Sequence, residues 1–256
     1  MVIGFLEYIG EVAILVGQIA VSLVRGKIRW RLTLQQVVEI GHRSQPVVMI
    51  TGAFTGAVLA AQSLFQFSAL NMETGAGALV SVAMLRELGP TITALMLAGR
   101  VGAAMAAEIG TMRVTEQVDA LRSMGVHPVD YLVSPRMLAM IFAMPLLIGE
   151  SAALGIIASV IVGTGPFNVN PAYWMDQMGK HTDYTDILIS LIKGLVFGIL
   201  IVCISCHQGM SAKDGAVGVG RSTTRAMVYS ALAILIVNFF LTLLMNVIFP
   251  AGLVAR

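Results

Sequence analysis

Residues 86–125 read RELGPTITALMLAGRVGAAMAAEIGTMRVTEQVDALRSMG. The stretch begins as an apolar helix, continues as a ladder of small residues and ends as a short charged helix with its own stop signal. Ala98, Gly102, Ala106 and Gly110 recur every four residues, with Ala103 and Ala107 beside them. Small residues at this spacing let helix backbones approach closely where hydrophobicity gives no drive between helices. Packing inside one chain is the simpler use of such a ladder, and a seam between two copies is the other. Pro90 is expected to kink or tighten the helix one turn after Arg86 and Glu87.

The end of the stretch predicts a helix over 115–124. Thr115 can cap its N-terminus, Glu116 and Asp119 suit the positive end of its dipole, and Arg122 suits the other end. Gly125 can adopt the left-handed conformation that closes a helix, and Pro128 prevents continuation. Val114, Val118 and Leu121 form an apolar edge opposite the charges. Such a helix can be a solvated surface element or a docking helix for a partner outside the bilayer.

Outward from this stretch, composition fixes the class. Of 256 residues, 57% are hydrophobic and 12% charged, against roughly 25% charged in soluble domains. Mean hydropathy is +0.86. The fold class is therefore an all-α integral membrane protein. Two cysteines three apart make no disulfide framework, and no basic tract interleaved with aromatics points to nucleic acid. Glu7 and Glu11 stand where a cleavable signal would carry a basic segment, so none is expected.

Residues 1–25 are apolar except for Glu7, Glu11, Gln18, Ser22 and Arg25. At about 100° per residue these fall within about 60° of one another. A narrow polar stripe on an oily helix predicts an interfacial helix; a sixth span with a polar seam is the alternative. Five spans follow at about 46–66, 76–98, 137–163, 187–206 and 227–250, near the roughly 20 residues a bilayer requires. The whole reads as one membrane domain over 1–256. Lys and Arg alternate by segment: 25–43, 86–136 and 207–225 hold five, five and three, while 66–75, 164–186 and 250–256 hold none, one and one. The positive-inside rule then places the N-terminus in the cytoplasm and the C-terminus outside.

Four ionisable residues lie at membrane depth: Arg86, Glu87, Glu150 and Lys193. Such groups are costly there and are usually paired or functional. Counted at about 1.5 Å per residue from the outer end of each span, Arg86 lies about 15 Å in, Glu150 about 20 Å and Lys193 about 9 Å. Depth therefore matches Arg86 with Glu150, and leaves Lys193 to snorkel outward. Either a pair that fixes helix register or a polar site that rearranges during a cycle is consistent with this.

Two motifs are decoys. Cys203-Ile-Ser-Cys206-His207 has the C-x-x-C-H spacing of haem attachment, but the charge pattern puts it at the cytoplasmic end of a span. Gly215 to Ser222 imitates a P-loop, yet Arg221 replaces the lysine and no strand precedes it. The glycines suit a tight turn instead. No ATP is expected on this chain, so energy must come from a partner.

The string RELGP…AGRVGAAMAAEIGTMRVTEQVDALRSMGVHPVDYLVSPR resembles the signature core of the MlaE/YrbE family, permease subunits of ABC transporters that move phospholipids. The later GVGRSTTRAMV is similar to the family's segment entering its last span. The resemblance implies a permease in the bacterial inner membrane, driven by a separate cytoplasmic ATPase and exchanging phospholipid with a periplasmic MCE-domain lipid-binding protein, in support of outer-membrane lipid asymmetry or supply. It implies two copies of the chain at the core, with ATP and Mg held by the partner ATPase and no cofactor or metal here. It maps ATPase coupling onto Thr115, Glu116, Gln117, Asp119, Ala120 and Arg122, and an intramembrane Arg-Glu pair onto Arg86 and Glu87. Lipid-cavity candidates near the outer end of the first span are Gln62, Phe65, Phe67 and Leu70, although aromatics there also serve as interfacial anchors. The competing reading is a stand-alone secondary transporter or channel running ions along Arg86, Glu87, Glu150 and Lys193. No catalytic constellation is apparent for an enzyme, since His42, His127, His181 and His207 are scattered.

Overall fold

The computed structural model describes residues 2–24, 29–68 and 75–249, without the side chains of 2–6, 8, 9, 23 and 24. Leu70, Arg25 and the C-terminal tail 250–256 lie outside the described residues. Among the described residues every regular element is helical: α1 Val2–Val24, α2 Trp30–Ile40, α3 Gln45–Ser68, α4 Ala76–Ala83, α5 Gly89–Leu97, α6 Ala103–Val114, α7 Gln117–Ser123, α8 Ser134–Thr164, α9 Pro171–His181, α10 Tyr184–Met210 and α11 Gly215–Ile248. Five helices are long and apolar enough to cross a membrane, preceded by the shorter apolar N-terminal helix. All five are longer than the spans read from hydropathy, the first two most of all. The second continues from Ala76 to Val114, and the first begins at Trp30, because amphipathic turns extend a helix without adding to its hydrophobic run.

Contacts group the chain into two compact units, each assembled from three stretches. The first comprises Met1–Arg43, Leu97–Ala143 and Val196–Ile234. Its packing is set by the small-residue ladder. Ala98, Gly102, Ala106 and Gly110 are all buried. A Cβ on Gly102 would sit 2.8 Å from Ser205 Oγ, and one on Gly110 would sit 3.4 Å from Ala212 and Val219. The ladder is thus used for packing within the chain. Gly209 answers it, its Cα facing Ala106 and Ile109.

Helix α1 buries Leu15, Ile19 and Ser22. Ser134 Oγ donates to Ser22 Oγ at 2.9 Å, and His207 Nε2 pairs with Glu11 Oε2 at 2.9 Å. The polar stripe predicted to face water therefore borders the packed face, and two of its members bind the protein. Cys203 and Cys206 are buried in α10, consistent with small apolar thiols. The P-loop lookalike is the first two turns of α11; its turn is made just before, by Asp214 and Gly215 at φ 64° and 63°.

The second unit comprises Ser44–Met96, Met144–Leu195 and Leu235–Arg256. Here α3 meets α8 through glycine. A Cβ on Gly56 would lie 2.0 Å from Gly155 O, and one on Gly52 would lie 2.5 Å from Ser151 O. Only hydrogen fits at that approach. The stretch 164–186, read from sequence as a loop, contains α9. Asn170 caps it by accepting from Ala172 N at 3.0 Å, and Pro171 occupies the first turn. Trp174 on α9 is buried with Ala60, Leu64, Val80 and Met84. Its indole lies between two glycines: a Cβ on Gly77 would be 3.2 Å from the ring, and one on Gly163 would be 3.0 Å away.

Candidate functional site

The charged residues at membrane depth converge in the second unit. Pro90 has no N–H to return to Arg86 O, and the helix makes a π-turn over Met84–Leu88, with Gly89 N bonded to Met84 O. Lys193 fills the gap, its ammonium donating to Arg86 O at 2.7 Å. Lys193 is wholly buried and also donates to Glu87 Oε1 at 2.9 Å and to Thr242 Oγ1 at 3.0 Å. All three of its N–H donors are thereby used. The Glu87 carboxylate additionally accepts from Thr242 Oγ1 at 2.9 Å and from Asn238 Nδ2 at 3.1 Å.

Beside this pair, Arg86 Nε donates to Asp186 Oδ1 at 2.5 Å. The other Asp186 oxygen accepts from Asp183 N at 2.9 Å. Asp186 is 1% exposed and Glu87 38%, so one acid is locked away while the other keeps an open side. Two cations and two carboxylates balance, as burial requires.

The depth argument therefore fails for Arg86 and Glu150. Arg86 pairs with Asp186, and Lys193 turns inward to Glu87 instead of snorkelling. Glu150 is half-buried and makes no hydrogen bond or ion pair among the described residues. Axial depth ignores azimuth: the next residue, Ser151, is the one that faces Gly52 on α3. Sequence reasoning also missed Asp186, Asn238, Thr242 and Asn246, the last of which accepts from Arg86 Nη1 at 3.4 Å through its Oδ1. A signal was available for three of them, because Asn238, Thr242 and Asn246 recur every four residues on an otherwise oily helix and so share a face.

An open groove of about 470 Å³ lies in the same unit, lined by Phe54, Thr55, Val58, Leu59, Gln62 and Leu88. Among the described lipid-cavity candidates, Gln62 alone lines it. Phe65 stacks edge-to-face on Phe167 at 5.0 Å, and Phe67 packs against the cluster around Trp174. Leu88 follows Glu87 directly in the chain but points from another face of the helix, and neither Arg86 nor Glu87 lines the groove.

In the first unit, α7 carries the predicted coupling residues. Thr115 does not cap it: its hydroxyl donates back to Thr111 O at 2.8 Å, which ends α6, and Glu116 occupies the N-cap at φ 61° without a side-chain cap bond. The helix is instead fixed by Arg113, whose Nη1 reaches both Asp119 oxygens at 2.6 and 2.7 Å. Arg122 joins the same carboxylate at 3.2 Å. Gly125 adopts φ 73°. Gly125 N bonds to Arg122 O and Val126 N to Leu121 O, at 3.0 and 2.9 Å, the paired closure that a left-handed glycine permits. Val118 is buried, whereas Thr115, Glu116, Gln117, Asp119, Ala120 and Arg122 are exposed.

Residues 33–244 match the family described as Permease MlaE. The chain is 42% identical over 231 residues to a probable ABC transporter permease protein of Synechocystis, covering 90% of this chain and 88% of the relative. It is 32% identical over 252 residues to the intermembrane phospholipid transport system permease protein MlaE of Haemophilus influenzae, covering 98% and 95%. It is 38% identical over 232 residues to the chloroplastic protein TRIGALACTOSYLDIACYLGLYCEROL 1 of Arabidopsis thaliana, covering 91% of this chain and 66% of that one.

Proposed function

The chain belongs to the MlaE permease family and is the membrane permease of an ABC transporter, and on that footing we propose that it moves phospholipid between the inner membrane of a bacterium and a periplasmic partner. The observation that supports this substrate is the likeness, over nearly the whole chain, to a permease named for intermembrane phospholipid transport. The same unit holds a charge-balanced network with one open carboxylate and, apart from it, an apolar groove, the two kinds of chemistry found in a lipid with a polar head and acyl chains. Glu87 and Arg86 contact the head, while Phe54, Val58 and Leu88 accommodate a chain.

Energy enters through α7. Its exposed face docks a cytoplasmic ATPase that holds ATP and Mg, and its salt-bridged root at Arg113 and Asp119 passes displacement into α6 and the ladder. Two copies of the chain form the transport core, and an outer MCE-domain protein exchanges lipid with it. The N-terminus is cytoplasmic and the C-terminus periplasmic on the distribution of Lys and Arg.

Reversing charge at Glu116, which has no ion-pair partner within α7, tests the docking. Membranes carrying Glu116→Lys should recruit less of the co-expressed ATPase than wild type, and lipid transfer in proteoliposomes should stop without ATP. Undiminished recruitment would refute the docking face. Transfer driven by an ion gradient without any ATPase would favour a stand-alone carrier.

A further inference from the structure

The first unit holds a buried cation that this cycle leaves unused. Arg136, in the first turn of α8, has a side chain 4% exposed, and its Nη2 stands 2.8 Å from Glu108 Oε2 on α6. Its Nη1 donates to Leu132 O at 3.1 Å, and its Nε meets no acceptor among the described residues. Glu108 is the acid that balances it, and the two differ in exposure. The Glu108 side chain is 59% exposed and lines a cavity of about 90 Å³ together with Glu39 and Arg100. A largely exposed carboxylate therefore holds a guanidinium that is shut inside. Left unpaired, that guanidinium would be an uncompensated buried charge, so Glu108 cannot shift far without drawing Arg136 after it.

Placement gives the pair a second meaning. Helix α6 leads into α7, and the π-turn Val129–Val133 with α8 leads out of it. Glu108 belongs to the way in and Arg136 to the way out, so their bond closes the base of the excursion that carries α7. Arg113 fixes α7 to the way in through Asp119. On the way out, residues 124–127 form no helix, and displacement passes poorly through such a connection. The stiff link is the one across the base. It reaches a π-turn, a mid-helix irregularity frequent at functional positions. There Ser134 N bonds to Val129 O, Ser134 Oγ donates to Ser22 Oγ at 2.9 Å, and Arg29 Cζ stands 4.7 Å from the Tyr131 ring centroid.

We propose that Arg136 is a positioning residue that makes α8 follow the coupling helix. When the ATPase displaces α7 and α6, Glu108 draws Arg136 and the π-turn with it. Helix α8 carries the movement onward, since its Ser151 and Gly155 meet Gly52 and Gly56 on α3, the helix that supplies most of the wall of the apolar groove. The inference rests on the docking of an ATPase on α7 and does not require phospholipid to be the cargo.

The full chain is co-purified with its ATPase, reconstituted in phospholipid vesicles and trapped with ATP and vanadate, and amide exchange is read by peptide mass spectrometry. In wild type, trapping is expected to alter exchange in both 117–123 and 129–136. Glu108→Gln should keep the response at 117–123 and lower that at 129–136 at least about fivefold. Glu108→Asp, which keeps the charge, should retain most of it. Because Glu108→Gln strands Arg136, the double variant Glu108→Gln/Arg136→Met controls for folding: its Tm should return close to wild type while the 129–136 response stays lost. Lipid transferred per ATP hydrolysed should fall by a similar factor in both variants, whereas a merely structural pair would lower transfer and hydrolysis together. An undiminished 129–136 response in Glu108→Gln, or its recovery along with Tm in the double variant, would overturn the proposal. No wild-type response at 117–123 would refute the docking of the ATPase and this inference with it. The expected exchange pattern without phospholipid transfer would uphold the inference and refute the cargo alone.

Discussion

Replacing Lys193 with methionine removes a charge while nearly preserving length and volume. Lys193 is fully buried and saturates three acceptors: Glu87 Oε1, Arg86 O and Thr242 Oγ1. Stripping one partner from a buried ion pair costs about 3–5 kcal/mol, because the other charge is stranded. Glu87 is 38% exposed and can regain some solvent, which favours the lower end, about 3 kcal/mol. For a chain of this size that lowers Tm by roughly 6–12 °C. The double variant Lys193→Met/Glu87→Gln strands no charge, and its glutamine oxygen still accepts from Thr242. It should recover most of the loss. The assay is a double-mutant cycle on thermal unfolding in one fixed detergent, with ATP-driven lipid transfer measured in parallel. Additivity of the two single changes within about 0.5 kcal/mol would refute the pairing. A double variant with near-native Tm and no transfer would show that the charges serve transport as well as register.

Three further outcomes follow from named contacts. Asp186→Asn should release Arg86 and lower transfer more than membrane yield, measured by quantitative blotting beside the transport assay; equal losses would make the pair structural only. Gly125→Ala places a Cβ at φ 73° and should cost about 1–2 kcal/mol locally, seen as faster amide exchange across 117–126 with the spans unchanged. Gly56→Ala forces a Cβ to within 2.0 Å of Gly155 O, so it should cost about 1–3 kcal/mol and lower Tm, whereas Gly10→Ala, which meets nothing within 4 Å, should not.

The helical class and the number of spans were legible because hydrophobic runs and sparse charge are one-dimensional signals. Gly125 was legible for a related reason: few residues accept a positive φ, so a glycine before Pro128 advertises a stop. Thr115 misled because its hydroxyl had two local options, and bonding back to Thr111 O prevailed over capping forward. The site itself was only half visible. Arg86, Glu87 and Lys193 announced themselves as charges in oil, but their partners depended on helix azimuth and on a π-turn that no spacing rule foretells. Asp186 hid among what looked like loop residues, although it sits in the first turn of α10. Of the lipid candidates, the aromatics were drawn into packing with Phe167 and with the Trp174 cluster, leaving Gln62 in the groove.

The glycine-flanked indole of α9 gives the protein a built-in optical gauge. The chain has two tryptophans; Trp30 is 61% exposed and Trp174 is 2% exposed. Substituting Trp30 with phenylalanine leaves a single emitter, shielded from aqueous quenchers as long as Gly77 and Gly163 stay closed over it. Any step of the working cycle that parts those two glycines will red-shift its emission and admit iodide. Turnover can thus be followed in the native polypeptide without attaching a dye.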